Sequence, residues 1–394
     1  MNSRKERLLE LAKQQEAAII AWRRELHRFP EPGGQEERTG NLVEREARKL
    51  GLEVLRVGKT GRIAILDTGR AGRSVALRAD MDALPVPEHP ENQKGARCVI
   101  SENPGYSHAC GHDAHTSMLL GAMHVLHEIR DALWGKVLFC FESDEEGGTG
   151  WPHLVAKLEQ IGVDRCFALH VLSSLDAGVV NIESGSRMSG MVAVNATFVG
   201  RGGHGSRPDL SVNPVFAAAA ALGNLAVAAA NQVDANETLT LGITSIQGGL
   251  AYNVIPDRAK VLGTMRYFKP EVGQKALTML KTVFDHTAAM HGCTVEYDPQ
   301  TRIYVLPSVN DPESAAMARR GIPEEWLGAC DRWYASETFS ACLTRWPGAL
   351  GFLGMKNEEL GCGAEHHNEH FDVDESVLWR GAMCYAGFAV EALQ

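Results

Sequence analysis

The residues best suited to chemistry begin with Cys110 and His112, two positions apart in the run His108-Ala109-Cys110-Gly111-His112-Asp113. If that stretch is extended, residues i and i+2 point the same way, so a thiolate and an imidazole can reach one ion. Three more groups follow. The strand expected over 136–142 leads into Asp144-Glu145-Glu146-Gly147-Gly148, the strand expected over 165–170 ends in His170, and Glu365-His366-His367-Asn368-Glu369-His370 lies near the C-terminus. Thiolate, imidazole and carboxylate together suit zinc or manganese better than magnesium or calcium. In the pair Glu145-Glu146 adjacent side chains diverge, so one can ligate while the other takes a proton from bound water. Such a base supplies about 10²–10⁴ in rate, whereas enzymes need about 10⁶ or more; metal polarisation and orientation must supply the remainder. Taken singly, a Cys-X-His pair, an acidic turn and a strand-end histidine are most often structural. Their joint placement at successive strand ends, where open α/β sheets bind ligands, singles them out.

The positioning elements follow from periodicity. Apolar residues at helical spacing predict an amphipathic helix over 3–28, ended by Pro30-Glu31-Pro32-Gly33-Gly34, and a second helix over about 36–50. Strands over 62–67, 74–79, 136–142 and 165–170 alternate with helices over 116–129 and 151–160, which predicts an α/β layer with a mixed, largely parallel sheet flanked by helices. Near Met188 the order changes to strand 191–199, helix 213–233, strands 238–246 and 259–268, helix 272–291 and strand 293–297. That βαββαβ order predicts an inserted ferredoxin-like α+β lid domain. The expected division is 1–187 for the first part of the catalytic domain, 188–299 for the lid and 300–394 for the second part. The Ala-rich helix over 213–233 is apolar on nearly every face, and its excess apolar surface is a candidate for burial by a second subunit.

Size and composition bound the rest. A chain of 394 residues is expected to form two domains. The net charge of −10 and the lack of a Lys/Arg cluster argue against a nucleic-acid partner. The charged N-terminus has no signal-peptide core, and no apolar run approaches the length of a membrane span, so a soluble protein is expected. Nine cysteines without paired spacing read as reduced thiols in the cytoplasm.

With these residues in place, Arg78-Ala79-Asp80-Met81-Asp82-Ala83-Leu84-Pro85 and His108-Ala109-Cys110-Gly111-His112-Asp113-Ala114-His115-Thr116 resemble the M20 peptidase family. The likeness is to its amidohydrolase branch of hippurate, auxin-conjugate and aminobenzoyl-glutamate hydrolases. It extends from Arg23-Arg24-Glu25-Leu26-His27 through Gly202-Gly203-His204-Gly205 and Asn253-Val254-Ile255-Pro256 to His366-His367-Asn368-Glu369-His370-Phe371. The resemblance implies two divalent ions, zinc or manganese, held by Cys110, His112, Glu146, His170 and His367. Cys110 would bridge them, and Asp82 would orient a ligand. His367 is preferred over His366 and His370 because the family's ligand lies four residues before an aromatic residue, here Phe371. Glu145 would be the general base that activates water and then protonates the leaving amine. His204 would stabilise the oxyanion, in cis or from a partner subunit of a homodimer formed through the lid, and Asn253 and Arg266 would bind the substrate carboxylate. On that basis the expected substrate is an N-acyl amino acid or related small amide, with a dipeptidase or carboxypeptidase as the alternative and a catalytically silent metal-binding protein as the contrasting class.

Two departures stand out. Phe141-Glu142-Ser143-Asp144 replaces the family's Phe-Gln-Pro-Ala, adding negative charge that is expected to raise the pKa of Glu145 or alter the metal preference. Ser336-Glu337-Thr338-Phe339 replaces Ser-Glu-Asp-Phe, losing an acid.

Overall fold

The computed structural model describes residues 2–394. The chain divides into two compact units, Met1–Gly185 with Val309–Asp331 and Ala341–Gln394, and Ser186–Ser308 with Arg332–Ser340. Each has its own buried apolar cluster, as expected where one core would have to serve too long a chain. The second unit therefore reaches Ser308 and takes in Arg332–Ser340, a passage that the sequence reading assigns to the catalytic layer.

In the first unit a seven-stranded sheet runs in the order Glu53–Val57, Gly61–Asp67, Lys136–Glu142, Ser74–Asp80, Arg165–Asp176, Gly348–Lys356, Val180–Asn181. The four strands from Lys136–Glu142 to Gly348–Lys356 are mutually parallel, and the outer pairings are antiparallel. The parallel strands are buried along almost their whole length, as strands covered on both faces must be. The helices His112–Glu128, Glu16–Arg28 and Leu378–Ala392 pack together beside them. The helix expected over 3–28 is interrupted at Gln15, where ψ is −7°. The strand Glu53–Val57 has too few buried positions to show alternation, and the sequence reading passes over it.

In the second unit the order Gly190–Val199, Pro214–Gln232, Leu239–Gly248, Arg258–Tyr267, Pro270–Met290, Thr294–Tyr297 is the expected βαββαβ. Its antiparallel sheet runs Leu239–Gly248, Arg258–Tyr267, Gly190–Val199, Thr294–Tyr297, the ferredoxin-like arrangement. The helix Pro214–Gln232 corrects one expectation: at 19 residues and mean hydropathy 1.4 it is long and apolar enough to cross a membrane. Its Ala217, Ala218, Ala221 and Leu225 are buried, while Phe216 and Val227 are 68% and 64% exposed.

A charged cluster fixes the first unit internally. Arg23, buried in the helix Glu16–Arg28, donates from Nε to Asp113 Oδ2 at 2.9 Å and from Nη1 to Glu375 Oε1 at 3.1 Å, and its Nη2 lies 3.4 Å from Asp372 Oδ1. His27, one turn on, pairs through Nδ1 with Asp113 Oδ2 and through Nε2 with Glu88 Oε1, both at 2.7 Å. Burial and Arg23 oppose charge on His27, but its two carboxylate partners outweigh them and raise its pKa. Arg97 donates to the carbonyls of His89, Phe371 and Glu369 at 2.8, 2.7 and 2.9 Å. Four chain segments are thus tied by groups that cannot be left unpaired in the interior. Replacing Arg23 with Met should lower unfolding free energy by about 3–5 kcal/mol, because it strands buried carboxylates. Urea denaturation measures this, and an unchanged midpoint would show that Arg23 does not anchor the cluster.

Candidate metal centre

The first candidate ligands meet for a reason other than the one expected. Cys110 and His112 do not lie in an extended stretch, because the helix begins at His112 and Gly111 precedes it with φ +88°. That left-handed backbone favours glycine, and a Cβ there would run into Val171 Cγ2. The turn at Gly111, not strand alternation, sets the relation between Cys110 and His112. His170 is likewise not at a strand end: its strand continues to Asp176. Pairing with the neighbouring strand Ser74–Asp80 stops at Arg78↔Ala168, however, so His170 stands beyond that neighbour's last rung.

Four chain segments converge. Cys110, His112 and His170 have potential ligand atoms within 4.8 Å of one another; so do Cys110, Glu146 and His367, and so do His112, Glu145 and Glu146. Cys110 belongs to the first two groups, and its Sγ is 3.7 Å from His170 Nε2. His367 Nε2 is 3.3 Å from Glu146 Oε1, and His112 Nε2 is 3.9 Å from the same oxygen. His367 adopts φ +63° and its N–H donates to Ala109 O at 2.8 Å, which ties the late segment to the Cys110 run. Of its neighbours, His366 is buried, accepts the Ser173 N–H at Nε2 and is lowered to about 3 by burial and nearby histidines, while the His370 ring lies tilted against that of His89 with centroids 4.4 Å apart.

The outward atoms are tied. Asp82 Oδ1 accepts from His112 Nδ1 at 3.0 Å, and its Oδ2 accepts the Glu146 N–H at 3.0 Å. His170 Nδ1 donates to Val171 O at 2.6 Å. Both arrangements leave Nε2 as the ligating nitrogen. The acidic turn is held by buried Glu36, whose Oε1 accepts the Asp144 N–H at 2.7 Å; Asp144 itself has φ +52°.

The donor set fits a cation. Glu146 Oε1 is buried and has no hydrogen-bond partner among the described residues, though two imidazoles approach it. A buried carboxylate oxygen without a donor is costly unless a positive charge satisfies it. Burial and the charges of Glu146 and Glu145 push the Cys110 thiol up, despite the opposing effect of His112; a bound cation reverses that balance and stabilises the thiolate. His112 is opposed by burial, but Asp80, Asp82 and Cys110 raise its pKa, so a proton competes with an ion for the site.

The residues missed by sequence reasoning lie just behind. Asp113, left without a role, is the partner of Arg23 and His27. His108 is buried and lowered to about 4 by burial, and neither ring nitrogen has a hydrogen-bond partner among the described residues. Glu142 pairs through Oε2 with Arg78 Nε at 2.7 Å, within the sheet.

The remaining expected site residues belong to the second unit. His204 and Val254 pair across a short antiparallel ladder, and the Gly205 N–H donates to Asn253 O at 2.8 Å. Both side chains are exposed, and His204 Nδ1 accepts the Ser206 N–H at 3.2 Å. Arg266, half-buried on Arg258–Tyr267, donates to Ser336 Oγ at 2.7 Å, and burial lowers its pKa. Ser336 opens the stretch whose acid is lost, while the neighbouring Glu337 accepts the Phe339 N–H at 2.9 Å.

Residues 76–391 match the description Peptidase family M20/M25/M40. The chain belongs to this family. It is a hydrolase that uses divalent metal ions. Over 386 residues it is 34% identical to thermostable carboxypeptidase 1 of Saccharolobus solfataricus, covering 95% of each chain. Over 297 residues it is 34% identical to an N-acyl-L-amino acid amidohydrolase of Geobacillus stearothermophilus, covering 74% of this chain and 78% of the relative. A Bacillus subtilis structure described as a dinuclear metal-binding peptidase of the M20 family is 27% identical, with a TM-score of 0.82 over 97% of this chain and 99% of that one.

Substituting Asp82 with Ala removes the partner of both His112 Nδ1 and the Glu146 N–H. Metal affinity, measured by chelator competition, should fall about 10–100-fold. An unaltered affinity would show that neither ligand depends on Asp82.

Proposed function

We propose that the protein hydrolyses the amide bond of N-acyl amino acids or related small conjugates at a dinuclear site formed by Cys110, His112, Glu146, His170 and His367. The observation that carries this reading is that these five side chains fall into overlapping groups of potential ligand atoms, one of which is a buried Glu146 oxygen with no hydrogen-bond partner among the described residues. The amidohydrolase relative supports the substrate class. Divalent ions held there supply Lewis-acid polarisation of a carbonyl and acidify water. The soft thiolate of Cys110 favours zinc or manganese over magnesium.

Glu145 is the general base in this reading. It lies in the turn that carries Glu146, and its carboxylate is grouped with His112 and Glu146. It accepts the proton of the attacking water and returns it to the leaving nitrogen, so the amine departs neutral. Asp82 holds His112 and the Glu146 backbone while this occurs. Nine free cysteines fit a reducing compartment such as the cytoplasm.

The carboxypeptidase relative favours a second reading in which the same chemistry cleaves a C-terminal residue from a peptide. Purified protein should contain two ions per chain, and Glu145→Gln should lower kcat at least about 100-fold with metal content unchanged. Near-wild-type turnover in that variant would remove Glu145 from the reaction. A panel of N-acyl amino acids and peptides, compared by kcat/KM, separates the two substrate classes; a clear preference for peptides would overturn the amidohydrolase assignment.

In the second unit, His204 is proposed to stabilise the oxyanion, with Asn253 and Arg266 binding the substrate carboxylate. The exposed apolar face of Pro214–Gln232 and the edge strand Leu239–Gly248, with Ile246 45% exposed, are proposed to meet a second copy in a homodimer. His204→Ala should reduce kcat by about 10²–10³ without loss of metal. Light scattering should give the mass of a dimer, and a monomeric active enzyme would refute that interface.

A further inference from the structure

We propose that Glu142, Arg78, Asp80 and His115 form a buried positioning relay that sets the orientation of His170. This inference rests on the metal-site reading above, since it assigns what holds one of the proposed ligands.

The relay begins in the sheet. Arg78, Asp80 and Glu142 share one face, because Arg78 and Asp80 are two residues apart and Asp80 lies level with Glu142 on the adjacent parallel strand. Arg78 donates from Nε to Glu142 Oε2 at 2.7 Å and from Nη1 to Asp80 Oδ2 at 2.8 Å. Asp80 Oδ1 in turn accepts from His115 Nδ1 at 2.6 Å. His115 Nε2 then accepts the N–H of Val171 at 2.9 Å. All four side chains are buried.

The last link fixes the tautomer. A ring nitrogen that accepts a backbone N–H carries no proton, so Nδ1 is the protonated atom and points at Asp80. Val171 N belongs to the peptide that follows His170, and Val171 O is the acceptor of His170 Nδ1. His115 therefore holds the same short stretch of backbone that fixes the His170 ring. Its own ring sits edge-on to His170 with centroids 4.4 Å apart, and stacks on His112 at 5.4 Å.

The grouping of Asp80, His112 and His115 could instead be read as another ion site. The hydrogen bonds argue against it, because both His115 nitrogens are already engaged and neither offers a lone pair to an ion. His115 acts through His170 and is a positioning residue.

The test compares two polar replacements in the full-length protein loaded with Co(II). The amide of Gln at position 115 can still accept the Val171 N–H and donate to Asp80. Asn is shorter and reaches only Asp80. His115→Asn should lower Co(II) affinity about 10–100-fold and shift the visible d–d absorption, while His115→Gln should restore most of both. Equal spectra and affinities for wild type and a folded His115→Asn would overturn the relay. Should the position-115 variants not fold, Glu142→Gln carries the test, since it keeps shape while removing one of the two carboxylate charges that hold Arg78. A lower Co(II) affinity there supports the relay, and wild-type affinity and spectrum overturn it. Failure of the wild-type protein to bind two ions would instead refute the metal-site reading.

Discussion

Two of the ligand-type side chains in the first unit, His112 and His170, do two things at once. One atom faces the other ligands, and the atoms behind it are bound to the protein. His112 turns Nε2 inward while Nδ1 is held by Asp82, and His170 does the same with Val171 O. Without that rear attachment a thiol, imidazoles and carboxylates gathered in a buried space would rotate away to find solvent or each other, because a buried polar group left without a partner is costly. The rest of the first unit can be understood as what supplies these rear attachments. The sheet provides Asp80, and the loop just past that strand provides Asp82. The Gly111 turn sets the spacing between Cys110 and His112, and buried Glu36 pins the acidic turn.

The same requirement explains why the helix Glu16–Arg28 matters to a site formed by other segments. Arg23 and His27 engage Asp113, which follows His112 in sequence, and Arg23 also pairs with Glu375, a few residues beyond His367. Arg97 then grips the carbonyls of Glu369 and Phe371. The late ligand segment is therefore held from two sides by guanidinium groups. Arginine suits this task because its planar fork donates in several directions and stays charged when buried. Asp113 is correspondingly held far below the usual carboxylate range: burial opposes its ionisation, but Arg23, His27 and His108 outweigh it.

Much of this arrangement was legible in the sequence, and the parts that were not share a cause. The βαββαβ order, the alternation of strands and helices and the ligand-bearing motifs depend on local periodicity or residue type, which a sequence displays directly. Geometry set by one unusual backbone angle does not appear in periodicity. The extended reading of Cys110 and His112 failed because Gly111 turns left-handed and the helix starts four residues earlier than its apolar pattern indicates. The strand-end reading of His170 failed because its strand outruns one neighbour, and only register reveals that. Asp113 had no assignable role because its partner lies 90 residues away. The passage Arg332–Ser340 joins the second unit through tertiary contacts that leave no compositional mark.

Glu142 shows that a residue singled out for its charge can also act through the sheet that carries it. Three residues before Glu145, it reads as extra negative charge beside the base. Its side chain belongs instead to the sheet face that carries Arg78 and Asp80, and the register places it level with Asp80. Arg78 alone beside Asp80 would give a neutral pair. Adding Glu142 leaves one positive and two negative charges, so the group carries a net charge of about −1 close to His112 and His115. Burial opposes the ionisation of Asp80, but His112, His115 and Arg78 outweigh it and hold its pKa well below the ordinary range. That buried charge favours cations nearby and strengthens the hydrogen bond that Asp80 accepts from His115. The departure at position 142 therefore reaches the imidazole side of the site, through Arg78 and Asp80.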